Sequence, residues 1–212
     1  MWQVRSTSNH FVPPDKFPPV IAQIAGDASD GDDWATGLMI KKHFSMFRSK
    51  AGLEIEVREF CEEDFEALIE MYEGFEPKRA AQGLPPIGRE RIVAWLRQLQ
   101  KNGQNLIAMW DSQLVGHSML CPVDSERAEF AIFLSQDFRN QGIGTGLTQA
   151  TLKYARRKEL RRIWLSVEVN NRPAIRVYRK MGFKACGHFG PEQEMELDLG
   201  RSNREVYLAE SG

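Results

Sequence analysis

The run Phe138-Arg139-Asn140-Gln141-Gly142-Ile143-Gly144-Thr145-Gly146-Leu147 could hold an anion with its main chain alone. An apolar, strand-like run, Phe130 to Leu134, precedes it, and a helix-like run, Leu147 to Lys158, follows. Glycines at such a junction let the N–H groups of Gln141, Gly142, Ile143, Gly144 and Thr145 converge without side chains blocking the approach. The helix behind them adds about half a positive charge at its N-terminus. That arrangement suits a phosphate or pyrophosphate. The spacing is not the dinucleotide fingerprint G-x-G-x-x-G, because Leu147 stands where its third glycine belongs. Nor is it a P-loop, since no Gly-Lys pair follows. What remains is R-x-x-G-x-G, from Arg139 to Gly144.

A second block lies downstream. Ile163-Trp164-Leu165-Ser166-Val167-Glu168-Val169 alternates apolar and polar residues, the period of a strand. After Asn170-Asn171-Arg172-Pro173, Ala174, Val177, Tyr178 and Met181 recur at helical spacing. Pro173 suits a helix start and Gly182 a helix end. Together the blocks resemble the GNAT acyltransferases, whose coenzyme A loop reads [QR]-x-x-G-x-[GA]. The family carries N-x-x-A-x-x-x-Y-x-x-x-G-F at the second place, and Asn171, Ala174, Tyr178, Gly182 and Phe183 match it in register. The resemblance extends over roughly residues 53–199. The strand Ala128-Glu129-Phe130-Ala131-Ile132-Phe133-Leu134 ahead of the loop is also similar to the GNAT domain of bacterial protein lysine acetyltransferases.

The resemblance implies N-acyl transfer from acetyl-CoA, with no metal. A lysine-type amine has a pKa of about 10.4, so deprotonating it near neutral pH costs about 4 kcal/mol. The departing thiolate must be stabilised or protonated. A positioned base and a positioned acid each contribute about 10²–10⁴-fold. Tyr178 is the expected acid, because the equivalent tyrosine of similar enzymes reaches the coenzyme sulfur. Glu129 is the expected base; many such enzymes place a glutamate here, and strand alternation puts it on one face with Ala131 and Phe133. Burial among apolar residues would raise such a carboxylate toward the useful range. Glu90, Glu168 and His117 are reserves. The expected coenzyme site comprises Arg139, Asn140, Gln141, Gly142, Ile143, Gly144 and Thr145 around the diphosphate, with Arg139 as a cap. The backbone of Phe133 and Leu134 would pair with the pantetheine arm as an added strand does. Asn171 would hold the arm or order the turn, and Tyr178 would meet the sulfur end. Arg176 and Arg179 are candidates for the 3′-phosphate, although helix arginines are more often solvated.

The elements around these residues give a mixed α/β reading of the GNAT type, in the order β-α-α-β-β-β-α-β-α-β-β. Leu53, Ile55 and Val57 alternate as a first strand. Phe65, Leu68, Ile69 and Tyr72 form a helix stripe behind the acidic start Glu62-Glu63-Asp64. Ile92, Val93, Leu96 and Leu99 form a second. Leu106–Trp110 and Leu114–Leu120 read as a hairpin around Asp111-Ser112-Gln113, and Phe183–His188 and Met195–Leu199 as the last strands. Three segments result: an extension over 1–50, proline-rich and partly irregular, a GNAT domain over 51–200, and a tail over 201–212. Met39 to Phe47 has helical apolar spacing with Lys41 and Lys42 opposite, and is expected as a short helix against the domain or a second subunit in a homodimer.

Composition narrows the classes. Lys and Arg number 28 against 29 Asp and Glu, a net charge of −1, so no global field favours nucleic acid or a membrane surface. Cys61, Cys121 and Cys186 are too few and scattered for a zinc site or a disulfide framework. No stretch approaches the ~18 apolar residues of a membrane span, and the N-terminus lacks a signal-peptide pattern. A cytoplasmic enzyme is expected. Three functions are consistent with the residues: acetyl transfer to a small-molecule amine, slightly favoured; transfer to a protein lysine; and a non-catalytic acyl-CoA sensor or interaction module. The loop from Phe75 to Gly88, with Lys78, Arg79 and Arg89 around it, could shape the acceptor pocket.

Overall fold

The computed structural model describes residues 43–77 and 85–200. The proline-rich start, Lys41 and Lys42, Lys78 and Arg79, and the tail over 201–212 lie outside the described residues. Among the described residues, eight strands and four α-helices follow one another: β1 (His43–Arg48), β2 (Glu54–Glu59), α1 (Phe65–Glu73), α2 (Arg89–Asn102), β3 (Gln104–Trp110), β4 (Gln113–Pro122), β5 (Arg127–Leu134), α3 (Ile143–Arg157), β6 (Arg162–Glu168), α4 (Arg172–Lys180), β7 (Lys184–Phe189) and β8 (Glu192–Asp198). The strands form one sheet in the order β1-β2-β3-β4-β5-β6-β8-β7. Every neighbouring pair is antiparallel except β5 and β6, which α3 joins as a parallel crossover. From β2 onward, the mixed α/β fold and the element order expected from the sequence are what the structure shows.

Helices cover both faces of the sheet. On one, α1 and α2 bury Leu68, Ile69, Tyr72, Trp95, Leu96 and Leu99 against Ile107, Met119 and Phe133. On the other, α3 and α4 bury Ile143, Leu147, Tyr154, Ile175 and Tyr178 against Val57, Leu120, Phe130, Ile163 and Leu165. Each fully buried aliphatic side chain contributes about 1.5–3 kcal/mol. Between the layers β4 is buried along almost its whole length. A buried ion pair pins β2 to the turn before α1: Arg58 Nη1 and Nη2 donate to Asp64 Oδ2 and Oδ1 at 2.5 and 2.6 Å.

The helix expected over Met39–Phe47 is corrected where the chain is described. His43–Arg48 is a strand, with Ser45 opposite Val57 and Phe47 opposite Ile55. Phe47 packs on the core while Met46 is 64% exposed, an alternation of period two. Six residues with two such apolar positions fit either period. The outer edge of β2 decides, because its N–H and C=O groups gain partners from a strand and none from a helix.

Candidate active site

Pairing between β5 and β6 stops early. It covers Arg127–Glu129 against Arg162–Trp164, yet β5 runs on to Leu134 and β6 to Glu168. Beyond Glu129 the two strands part, and β5 has a free edge. Ser135 N–H donates to Val115 O at 3.0 Å, so odd-numbered residues at this end of β5 turn their main-chain groups toward β4. Ile132 and Leu134 therefore present theirs to the opening. The main-chain groups of Phe133 are turned to β4. Which parity faces the gap depends on which neighbour lies on which side, and the residue pattern does not carry that.

The glycine loop stands at the wide end of this opening. Asn140 (φ 62°) and Gly142 (φ 84°) are both left-handed, which folds the chain back into the first turn of α3. Among the described residues, no acceptor takes the N–H groups of Gln141, Gly142, Ile143, Gly144 or Thr145. Gly146 N–H is the first in this turn to be taken up, by Gly142 O at 3.1 Å. The first turn of α3 carries no acidic residue, so nothing opposes an anion there. A Cβ on Gly144 would come within 3.2 Å of Leu134 Cδ1, so the missing side chain also lets the loop lie against the end of β5.

The Arg139 side chain is engaged by the end of β5 and by the segment after α1. Its Nε donates to Leu134 O at 3.2 Å, its Nη2 donates to Glu76 O at 2.5 Å, and its guanidinium lies 4.9 Å from the centre of the Phe75 ring. It ties the glycine loop and the end of β5 to the segment after α1. Burial lowers its pKa, partly offset by the charge of Glu76. That segment borders a cavity of about 340 Å³ between α1 and α2, lined by Tyr72, Phe75, Pro85, Ile87, Arg89 and Ile92 among others. Arg89 pairs there with Glu66 and with Glu73, the latter at 2.9 Å.

Glu129 and Tyr178 meet at the last paired rung of β5 from opposite faces. Glu129 is 4% exposed, on the face of α1 and α2, opposite Trp164 and Cys121. Burial, and next the charge of Glu129, push the Cys121 thiol up to about 12. On the other face the Tyr178 ring packs edge-on to Phe130 (6.1 Å between centres) and against Phe183 (5.7 Å). Its hydroxyl has no hydrogen-bond partner among the described residues, and burial raises its pKa, so it remains protonated. Leu134 and the glycine loop stand together at the far end of β5, beyond the stretch that pairs with β6.

The other candidates lie apart. Asn171 caps α4, its Oδ1 accepting from Ala174 N–H at 3.3 Å, so it orders the turn. Arg176 and Arg179 are exposed on α4, and Glu90 is exposed in the first turn of α2. Glu168 ends β6 on the same face as Glu129. His117 is fully buried and both its nitrogens are engaged. Asn105 Nδ2 donates to Leu99 O and Gly103 O, so Asn105 Oδ1 accepts from His117 Nε2–H at 3.0 Å. Nδ1 then accepts from the Tyr72 hydroxyl at 2.7 Å. Burial holds this imidazole down to about 3, which makes it a neutral strut. The contact of Arg139 with Phe75 and Glu76 leaves no local signal in the sequence. No helix among the described residues is long and apolar enough to cross a membrane.

Comparison with known proteins gives the family. Residues 61–183 match the model of the acetyltransferase (GNAT) family. An L-amino acid N-acetyltransferase, AaaT, of Escherichia coli K12 is 33% identical over 89 residues, 40% of this chain and 55% of that protein. The chain thus spans about half the length of that relative, and less of others such as the N-acetyltransferase MJ1207 of Methanocaldococcus jannaschii, 24% of which is covered. Among solved structures, the GNAT domain of S. lividans PAT superposes with a TM-score of 0.63 at 17% identity, over 73% of this chain and 96% of that one. The PaiA N-acetyltransferase of Thermoplasma acidophilum, in complex with coenzyme A, gives 0.55 at 25% identity over 68% and 98%. With a family match over more than half its length, the chain belongs to the GNAT family of acetyltransferases.

Proposed function

We propose that the protein transfers an acetyl group from acetyl-CoA to a primary amine by direct attack in a ternary complex, and that the amine belongs to a small molecule. One observation carries the reading: the N–H groups of Gln141–Thr145, without acceptors among the described residues, open beside the free edge of β5. The loop amides would hold the diphosphate, and the main chain of Ile132 and Leu134 would pair with the amides of the pantetheine arm. The coenzyme supplies an acyl group activated as a thioester. The chain supplies the proton movements. Glu129 takes a proton from the incoming ammonium, so that the neutral amine attacks the thioester carbonyl. As the C–N bond forms and the C–S bond breaks, Tyr178 Oη, kept protonated by burial, gives its proton to the departing sulfur, and the second proton shed by the amine nitrogen restores the tyrosine.

The acceptor enters from the face of α1 and α2, where Glu129 lies. The cavity between those helices supports a small acceptor, being large enough for a compact molecule and partly apolar. The match to a relative named for L-amino acids points the same way. A panel of amino acids, other small amines and lysine peptides, incubated with acetyl-CoA and read by thiol release, tests the reading. Turnover with small amines supports it, and turnover confined to peptides moves the acceptor to protein lysine. Tight coenzyme binding without any turnover makes the protein a sensor.

A further inference from the structure

We propose that Lys50, in the turn between β1 and β2, belongs to the anion site and offers its ammonium to the diphosphate at the glycine loop. The inference rests on the coenzyme reading above and adds a ligand from outside the two sequence blocks that identify the family.

The β1–β2 hairpin is keyed into the first turn of α3 at three points. Lys50 N–H donates to Gln141 O at 2.8 Å. The Lys50 stem lies over Gly142, with Cγ, Cε and Cδ at 3.3, 3.7 and 3.8 Å from where a Cβ would stand. Beneath the same turn, the Phe47 ring fills the space of a Gly146 side chain. The turn itself is well bonded. Ser49 N–H donates to Leu53 O at 2.8 Å, Leu53 N–H donates to Ser49 Oγ at 3.1 Å, and Gly52 N–H donates to Ser49 O at 3.0 Å. Lys50 is therefore anchored at its main chain and along its stem. Its Nζ, one bond beyond Cε, sits beside the positive end of α3.

A cation at a helix N-terminus is unfavourable by itself. The neighbouring Arg48 pairs with Glu54 at 2.9 Å, but Lys50 has no carboxylate partner among the described residues. An anion held between the ammonium and the free N–H groups would turn both positive poles into attractions. A diphosphate in the loop is such an anion, and Lys50 would approach it from the side opposite to β5.

The test is isothermal titration of the full chain with coenzyme A, dephospho-coenzyme A and pantetheine, on wild type, Lys50→Ala, Lys50→Arg and Lys50→Glu. All three variants keep the main-chain bond to Gln141, and melting curves verify that they fold. A charged hydrogen bond of this kind is worth about tenfold in affinity. Lys50→Ala should therefore bind coenzyme A and dephospho-coenzyme A about tenfold more weakly, and pantetheine as wild type does. Lys50→Arg should stay close to wild type, and Lys50→Glu should fall below Lys50→Ala. An unchanged Lys50→Ala overturns the proposal alone. So does a deficit that vanishes with dephospho-coenzyme A, which would assign Lys50 to the 3′-phosphate, or one that persists with pantetheine. Wild-type protein that binds neither nucleotide overturns the coenzyme reading and the proposal with it.

Discussion

Replacing Gly146 with alanine should destabilise the protein, and should stabilise it once Phe47 is removed. In wild type a Cβ at position 146 would lie 2.3, 2.5 and 2.6 Å from Phe47 Cζ, Cε2 and Cε1. Those separations fall well inside carbon contact, and the intruding atom meets a ring packed on the core, so either β1 or α3 must shift. Overpacking of this kind costs about 1–3 kcal/mol. Against it, alanine gains up to about 1 kcal/mol over glycine within a helix. The expected balance is a loss of up to about 2 kcal/mol, or a fall in Tm of up to roughly 6 °C at this chain length. In a Phe47→Ala background the clash is gone and only the helical gain remains, so Gly146→Ala should then add up to about 1 kcal/mol. The two backgrounds differ in sign, and the coupling equals the clash itself, about 1–3 kcal/mol. Urea melts of the four proteins in this cycle measure it. If Gly146→Ala has the same effect, within about 0.5 kcal/mol, with and without Phe47, β1 is not keyed into α3 as described.

Tyr178→Phe and Glu129→Gln should each lower kcat by about 10²-fold or more while leaving coenzyme affinity near wild type. A near-wild-type rate in Glu129→Gln removes that carboxylate from the mechanism. The raised pKa of Tyr178 places any loss of its proton above its ordinary value of 10.0, so a pH–rate profile that breaks lower should keep that break in Tyr178→Phe. Acid should weaken the fold in two windows. Folded His117 is held at about 3 against 6.5 when unfolded, so its contribution is complete above pH 6.5 and declines as pH falls toward 3. Melts from pH 7 to 4 should slope by up to about 1.4 kcal/mol per pH unit, and less in His117→Gln. Burial alone would raise Asp64, but hydrogen bonds from Arg58 and Cys61 outweigh it and keep it below 3.8. The stability it confers is present above that value and lost as pH falls through its folded pKa. Asp64→Asn removes the nearer carboxylate from buried Arg58, leaving it Glu56 at 3.7 Å, and should cost about 3 kcal/mol at neutral pH. Arg139→Ala should speed hydrogen exchange at the Phe75 amide, now bonded to Tyr72 O at 3.2 Å, and unchanged exchange would deny the tie between Arg139 and that segment.

What could be read in advance was what a single stretch of chain decides. Glycines at 142 and 144 between a strand and a helix, and Asn171 ahead of Pro173, carry their conformation locally, and the structure places both as helix starts. Strand alternation put Glu129 with Ala131 and Phe133, and that face holds. Features that need a second element were not legible. The six residues of β1 take their conformation from the unpaired edge of β2. The direction of the Phe133 main chain follows from β4 lying on one side and the gap on the other. The contacts of the Arg139 guanidinium with Phe75 and Glu76, some 63 residues earlier, likewise need a second segment of chain. Gly146 reads as one more glycine of the loop until Phe47 is seen beneath it.

Amide-resolved NMR during a coenzyme A titration tests the central claim most directly. The N–H signals of Gln141, Gly142, Ile143, Gly144 and Thr145 should shift together and saturably, with those of Ile132 and Leu134 following the pantetheine arm. If those five amides stay still at millimolar coenzyme A while the rest of the spectrum is that of a folded protein, the glycine loop is not the diphosphate site.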